Sequence, residues 1–200
     1  MTSVVLFHHA QGLTDGVRRF ADRLSAAGHD VALPDLYDGA TFATLDEGVA
    51  HAQQIGFEQV VERGVAAAAD LPAATVYAGL SLGVMPAQRL AQSRPGALGA
   101  LLLFSAVPPE YFGSWPAGVG LQLHLVEDDP IAEEDRPAAE ELARTVDGAE
   151  LHLYPGTGHL VVDDGLTEYD ATATGLIVER SPAFLDRLGE RRSRWVSVRS

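Results

Sequence analysis

Ser81 stands at the centre of Gly79-Leu80-Ser81-Leu82-Gly83, a G-x-S-x-G sequence, and the chain offers it both a carboxylate and an imidazole further on. A serine hydroxyl is a weak nucleophile near neutral pH. It needs a base to take its proton and a third group to hold that base in the right tautomer. His159 closes Pro155-Gly-Thr-Gly-His159, a loop whose glycines free it to bring an imidazole back over Ser81. Between the two in sequence lies the acidic turn Glu127-Asp128-Asp129-Pro130, which supplies three candidate acids. Together these residues could attack a carbonyl carbon and pass through a covalent acyl-serine.

Such chemistry requires elements that deliver each group to one place. Thr75 to Ala78 is a short, partly β-branched strand that runs straight into the serine turn, and Val84 to Gln92 reads as the helix behind it. Strand, tight turn and helix form the setting of a nucleophile elbow, in which the serine sits on strained backbone with its hydroxyl exposed above a sheet. Gly79 and Gly83 flank it because a Cβ there would collide with the neighbouring strand and helix. Ser3 to His8 is a first buried strand, followed by a helix that Thr14 caps, with Val17, Phe20, Ala21 and Leu24 on its apolar face and Gly28 as its stop. His29 to Leu33 gives a second strand, which completes a right-handed βαβ unit. Thr44-Leu-Asp-Glu47 is a capping box that opens a helical region towards Ala69, as one bent helix or two shorter ones. Further strands are expected within 97–105, at 121–126 and at 150–154, with a helix from about Glu133 to Val146 and a last one from about Asp170 to Leu188 that Pro182 kinks.

Two N–H donors are needed for the oxyanion, and the backbone N–H groups of Leu82 and Ala10, in the turns after their strands, are the candidates. His29, His51, His124 and His152 need no more than packing or surface roles. His8 and His9 end the first strand; a satisfied structural histidine is the favoured reading of both, and His9 is the one retained as a candidate substrate contact. Tyr37, Tyr111 and Trp115 complete the substrate-binding candidates. The segment 107–116 carrying the last two could line a pocket or pack on itself as a surface loop. No H-x-x-H or H-E-x-x-H spacing suggests a metal, and no cofactor is expected.

Bulk properties narrow the field. At 200 residues the chain suits one α/β domain at 1–189, with a basic tail at 190–200 that includes Arg191, Arg192, Arg194 and Arg199. Asp and Glu number 28 against 14 Lys and Arg, and the net charge of −14 argues against nucleic acid or an anionic membrane surface as partner. The absence of cysteine removes disulfides and thiolate chemistry. Met1 leads almost directly into Val4-Val-Leu-Phe7 without a basic n-region, so a cytoplasmic location is expected.

Four segments, in this order and spacing, resemble the dienelactone hydrolase family of the α/β-hydrolases: Val4 to Leu13, Ala32 to Tyr37, Ala78 to Gly83, and Glu127 to Pro130 together with Tyr154 to His159. The resemblance implies an α/β-hydrolase fold, with a mostly parallel central sheet of about six to seven strands, helices on both faces and no large lid domain. It also implies a triad of Ser81, Asp129 and His159, with Asp128 as the alternative acid. Three features depart from that family. Ser81 replaces its cysteine nucleophile, His9 stands where it has a glutamate, and Val161-Val-Asp-Asp164 occupies the region of its carboxylate-binding arginine. An acidic rim at Asp163 and Asp164 is expected to oppose an anionic substrate. The activity implied is hydrolysis of a small carboxylic ester, lactone or thioester. The rival readings are a small-molecule binder on a hydrolase scaffold and an acyltransferase.

Overall fold

The structure, a computed structural model, describes residues 1–199, and of residues 194–199 the backbone alone. Six strands, β1 (Ser3–Phe7), β2 (Asp30–Ala32), β3 (Thr75–Leu80), β4 (Gly99–Leu103), β5 (Gly120–Val126) and β6 (Glu150–Tyr154), form one sheet in the order β2-β1-β3-β4-β5-β6. Every pairing is parallel. From β1 the chain winds one way to β2 and then returns to lay β3 on the other side of β1. The gap between the loops after β1 and β3 is therefore a topological switch point, where open parallel sheets bind ligands at the carboxyl ends of their strands.

Alternating side chains send the sheet's two faces into two cores. Val4 and Leu6 of β1 pack with Val17, Phe20 and Leu24 of α1 (Asp15–Ala26) and with Ile177, Leu185 and Leu188 of α6 (Ala171–Arg199). Val5 and Phe7 face the other way, onto a core shared by α3 (Phe57–Ala67), α4 (Val84–Ser93) and α5 (Arg136–Thr145). Leu101, Leu102 and Leu103 of β4 are wholly buried between them, and each such side chain contributes about 1.5–3 kcal/mol by leaving water.

Local signals act as their chemistry requires. The Thr14 side chain accepts from the Val17 N–H at 3.2 Å and starts α1. Thr44 and Glu47 form the reciprocal capping box of α2 (Leu45–Ile55). Gly56, at φ +93°, separates α2 from α3, so the helical region is two helices rather than one bent one.

Two helix boundaries differ from expectation. α5 begins at Arg136 instead of near Glu133, because Pro137 has no N–H to donate to the Glu133 carbonyl and so fits only in a helix's first turn. α6 passes Pro182 and continues beyond Leu188 to Arg199, since Glu190, Arg191 and Arg192 are competent helix formers with no proline after them. The basic stretch 190–199 thus prolongs a helix. Arg191 and Arg192 are exposed, and the side chains of Arg194 and Arg199 lie outside the described residues. Among the described residues no helix is long and apolar enough to cross a membrane.

Candidate active site

Register brings the strand ends level: Phe7 pairs with Gly79, Leu80 with Leu103, Leu103 with His124, and Val126 with Tyr154. The loops that follow all open on one edge of the sheet. Ser81 follows β3 at φ +50°, one of three non-glycine residues with positive φ among those described. Such a conformation costs about 1–3 kcal/mol and persists only where the surroundings enforce it. The enforcement is visible at both flanking glycines. A Cβ on Gly79 would overlap the Gly83 carbonyl, and one on Gly83 would overlap the carbonyls of Phe7 and His8 at the end of β1. The turn is thus wedged against the neighbouring strand, with α4 starting immediately behind it.

His159 is buried and bridges the other two groups. Its Nε2 lies 2.7 Å from Ser81 Oγ, and its Nδ1 lies 2.6 Å from Asp129 Oδ2. Asp129 is in turn fixed by the Ile131 N–H, which donates to Oδ1 at 2.9 Å. Asp128 instead gives its backbone N–H to the Gly156 carbonyl and is exposed, so the ambiguity between adjacent aspartates is resolved in favour of Asp129 as the partner of His159. The His159 N–H donates to Glu168 at 2.7 Å, and the Phe104 ring stands edge-on to the imidazole at 6.3 Å between centroids. Phe104, at φ +67°, is a second strained residue beside the site.

Of these three groups Ser81 opens onto a cleft of about 360 Å³, with His159 and Asp129 buried behind it. Ala10 and Leu82 line it beside Ser81, next to the walls Leu45 and Val49 from α2, Met85 from α4, Ala106 to Pro108, Tyr111 and Ile131. The polar exceptions are Ser105 and Asp135, whose Oδ2 accepts from Ser105 Oγ at 2.6 Å. Burial raises the Asp135 carboxyl above its ordinary range, against the Ser105 bond and the nearby imidazole of His159. Gln88 and Gln92 of α4 pin the loop after β4: Gln88 exchanges bonds with Val107, and Gln92 donates to Pro109 and Gly113.

Of the four expected substrate contacts, only Tyr111 reaches the cleft, and it is 71% exposed at the rim. His9 is fully buried, with the Gln11 N–H donating to its Nδ1 at 3.2 Å and its Nε2 bonded to Asp163 at 3.0 Å. It is a structural histidine. Tyr37 packs edge-on against His8 and His51 beneath the loops, and burial pushes its phenol up to about 12. Trp115 donates to the Val119 carbonyl at 2.8 Å and joins the core, because the 107–116 segment packs on itself beyond Tyr111.

The expected acidic rim is also overturned. Asp163 is 1% exposed and accepts from His9, from Thr14 Oγ1 at 2.6 Å and from the Gly165 N–H at 2.9 Å. Burial opposes its ionisation, yet these bonds outweigh it and hold the carboxyl below its usual value. Asp164 pairs with Arg19, and Val161 and Val162 belong to the core. The carboxyl that does face the cleft is Asp135. Its place before a helix suggests a cap, and no local pattern in the sequence points it elsewhere. Among the described residues no cluster of His, Asp and Glu could hold a metal ion.

A parallel sheet with helices on both faces, and a serine elbow leading into a helix, define an α/β-hydrolase fold. Residues 1–188 match the model of the dienelactone hydrolase family, and the chain belongs to that family of hydrolases. Solved structures agree on the fold. A dienelactone hydrolase-like promiscuous phosphotriesterase from metagenomic libraries is 20% identical with a TM-score of 0.70, over 94% of this chain and 87% of that one. A dienelactone hydrolase from Anabaena variabilis is 17% identical with a TM-score of 0.65, over 93% and 86%. A cold-adapted esterase from an Arctic intertidal metagenomic library is 19% identical with a TM-score of 0.57, over 90% and 82%. No curated protein matches the sequence.

Proposed function

We propose that this protein hydrolyses a small carboxylic ester, lactone or thioester through an acyl-serine intermediate. The observation that carries the reading is the continuous chain from Ser81 Oγ to His159 Nε2 at 2.7 Å and from His159 Nδ1 to Asp129 at 2.6 Å. Ser81 attacks the carbonyl carbon as its proton passes to His159, while Asp129 holds the Nδ1–H and stabilises the imidazolium that forms. The Leu82 and Ala10 N–H groups hold the oxyanion; losing one such donor typically costs about 3–4 kcal/mol of transition-state stabilisation. His159 then protonates the leaving group, and water, deprotonated by the same imidazole, releases the acid.

The phosphotriester substrate of one structural neighbour belongs to that protein. The carbonyl reading here rests on the elbow geometry and the apolar cleft. Fluorophosphonate labelling followed by peptide mapping tests it. A single adduct on Ser81, absent in Ser81→Ala and slowed in His159→Ala, is the expected result. Folded wild-type protein that takes no adduct and turns over no short-chain aryl ester would refute it.

A further inference from the structure

Asp135 occupies the residue before α5, a position where an aspartate ordinarily caps the helix. Here the side chain makes no cap bond and reaches into the cleft, where Ser105 engages Oδ2. The remaining walls are apolar apart from Ser81 and the Tyr111 ring, and no Lys or Arg lines the cleft. Among the described residues no cation stands within ion-pair distance of Asp135. A half-buried carboxylate without a counter-charge is costly to the folded protein, and that cost falls when a ligand brings the cation.

We infer that Asp135, oriented by Ser105, selects substrates that carry an ammonium group and rejects those that carry a carboxylate, a reading that rests on the hydrolase function proposed above. Three features converge on this. The carboxyl shares the cleft with Ser81, so a cation at Asp135 and an ester carbonyl at Ser81 fit one small molecule. The exposed Tyr111 ring on the rim offers a π face, which favours the same cation. A net charge of −14 raises the local concentration of cations and disfavours anions before docking.

The test uses two matched sets of butyrate-sized esters, one with the variable group on the alcohol part and one with it on the acyl part. Within each set the group is trimethylammonium, tert-butyl or carboxylate, and kcat/KM is compared in the full chain. Wild-type protein should favour the cationic ester over its neutral isostere by about tenfold or more in at least one set, with the carboxylate worst, as one charge pair in a partly dry site supports. In Asp135→Asn the cationic-to-neutral ratio should fall towards one. Ser105→Ala should lower it in the same direction. The same ratios read as binding affinities in Ser81→Ala separate the two claims. Charge preference in binding without hydrolysis by wild type would sink the catalytic reading alone. Hydrolysis with equal rates for cationic and neutral esters in both sets, or a preference that survives Asp135→Asn, would overturn the assignment of Asp135.

Discussion

His9 and Asp163 meet at 3.0 Å across 154 residues of chain, and their bond ties the loop after β1 to the loop that carries His159. Because Nδ1 of His9 takes the Gln11 N–H, Nε2 is left to donate to Asp163. Ala10, the proposed oxyanion donor, lies between His9 and Gln11 and is clamped by both.

Replacing Asp163 by Ala should therefore act twice. Three donors, His9 Nε2–H, the Thr14 hydroxyl and the Gly165 N–H, lose their acceptor, and the fold should weaken by about 2–4 kcal/mol. The loosened donor should also lower kcat by about tenfold to a hundredfold with KM little changed. Denaturation midpoints and ester kinetics on the same preparation check both. A stability loss with kcat untouched would make the network structural only.

Ser81 at φ +50° stores backbone strain that a glycine does not feel. Ser81→Ala and Ser81→Gly both lose the hydroxyl and its bond to His159, so the difference between them reports the strain. Ser81→Gly should be the more stable by about 1 kcal/mol, measured by chemical denaturation. An alanine variant as stable as the glycine variant would mean the turn relaxes in solution.

Gly48 of α2 lies against the Ala10 carbonyl so closely that a Cβ there would overlap it. Gly48→Ala should displace the oxyanion loop, cost about 1–3 kcal/mol of stability and depress kcat more than KM. Wild-type kcat in a folded Gly48→Ala protein would show that the loop position is not critical.

His8 is buried, with Nδ1 donating to the His9 carbonyl at 2.8 Å and Nε2 accepting the Leu36 N–H at 3.0 Å. Burial lowers its pKa from 6.5 to about 4, and burial also drives His124 well below the ordinary histidine value. Since the unfolded chain takes up these protons first, their contribution is intact above about pH 6.5 and is lost as pH falls towards 4. His8 alone should account for about 3 kcal/mol across that window. Unfolding free energies measured from about pH 7 to about pH 5 should decline steadily; a flat profile would contradict the burial of these rings as neutral species.

Burial shifts Asp135 the opposite way, to a raised pKa, so its ionised form is a burden on the folded state at pH values above that pKa. Asp135→Asn should raise the denaturation midpoint at neutral pH while the charge preference is lost. That is the signature of a residue kept at some cost to stability. A lowered midpoint would assign Asp135 a structural role in joining α5 to β4 through Ser105.

The strands, the elbow and the three triad candidates were legible because each depends on near neighbours in sequence. Thr75 to Leu80 is apolar and ends at glycine-flanked Ser81, and His159 sits in a loop that only its glycines could bend. The cleft walls were not legible. Leu45 and Val49 share the cleft with Ser81 because α2 packs through Gly48 on the loop that holds Ala10, and Ser105 and Asp135 meet across two loops 30 residues apart. Asp163 misled for a related reason. It is four residues from His159, but the tight turn closed by its N–H on the Leu160 carbonyl sends its side chain inward to His9. Sequence proximity to a reacting group says nothing about direction once a turn intervenes.

Gly56 separates the helix that walls the cleft from the helix that packs on the sheet. Leu45 and Val49 thus stand on a helix that follows none of the strands carrying the triad, while Ser81, Asp129 and His159 hang from strands that α2 does not build. Variation can enlarge or narrow the cleft through those two positions without disturbing the reacting groups. The architecture keeps the machinery constant and makes the range of molecules it accepts an independent variable.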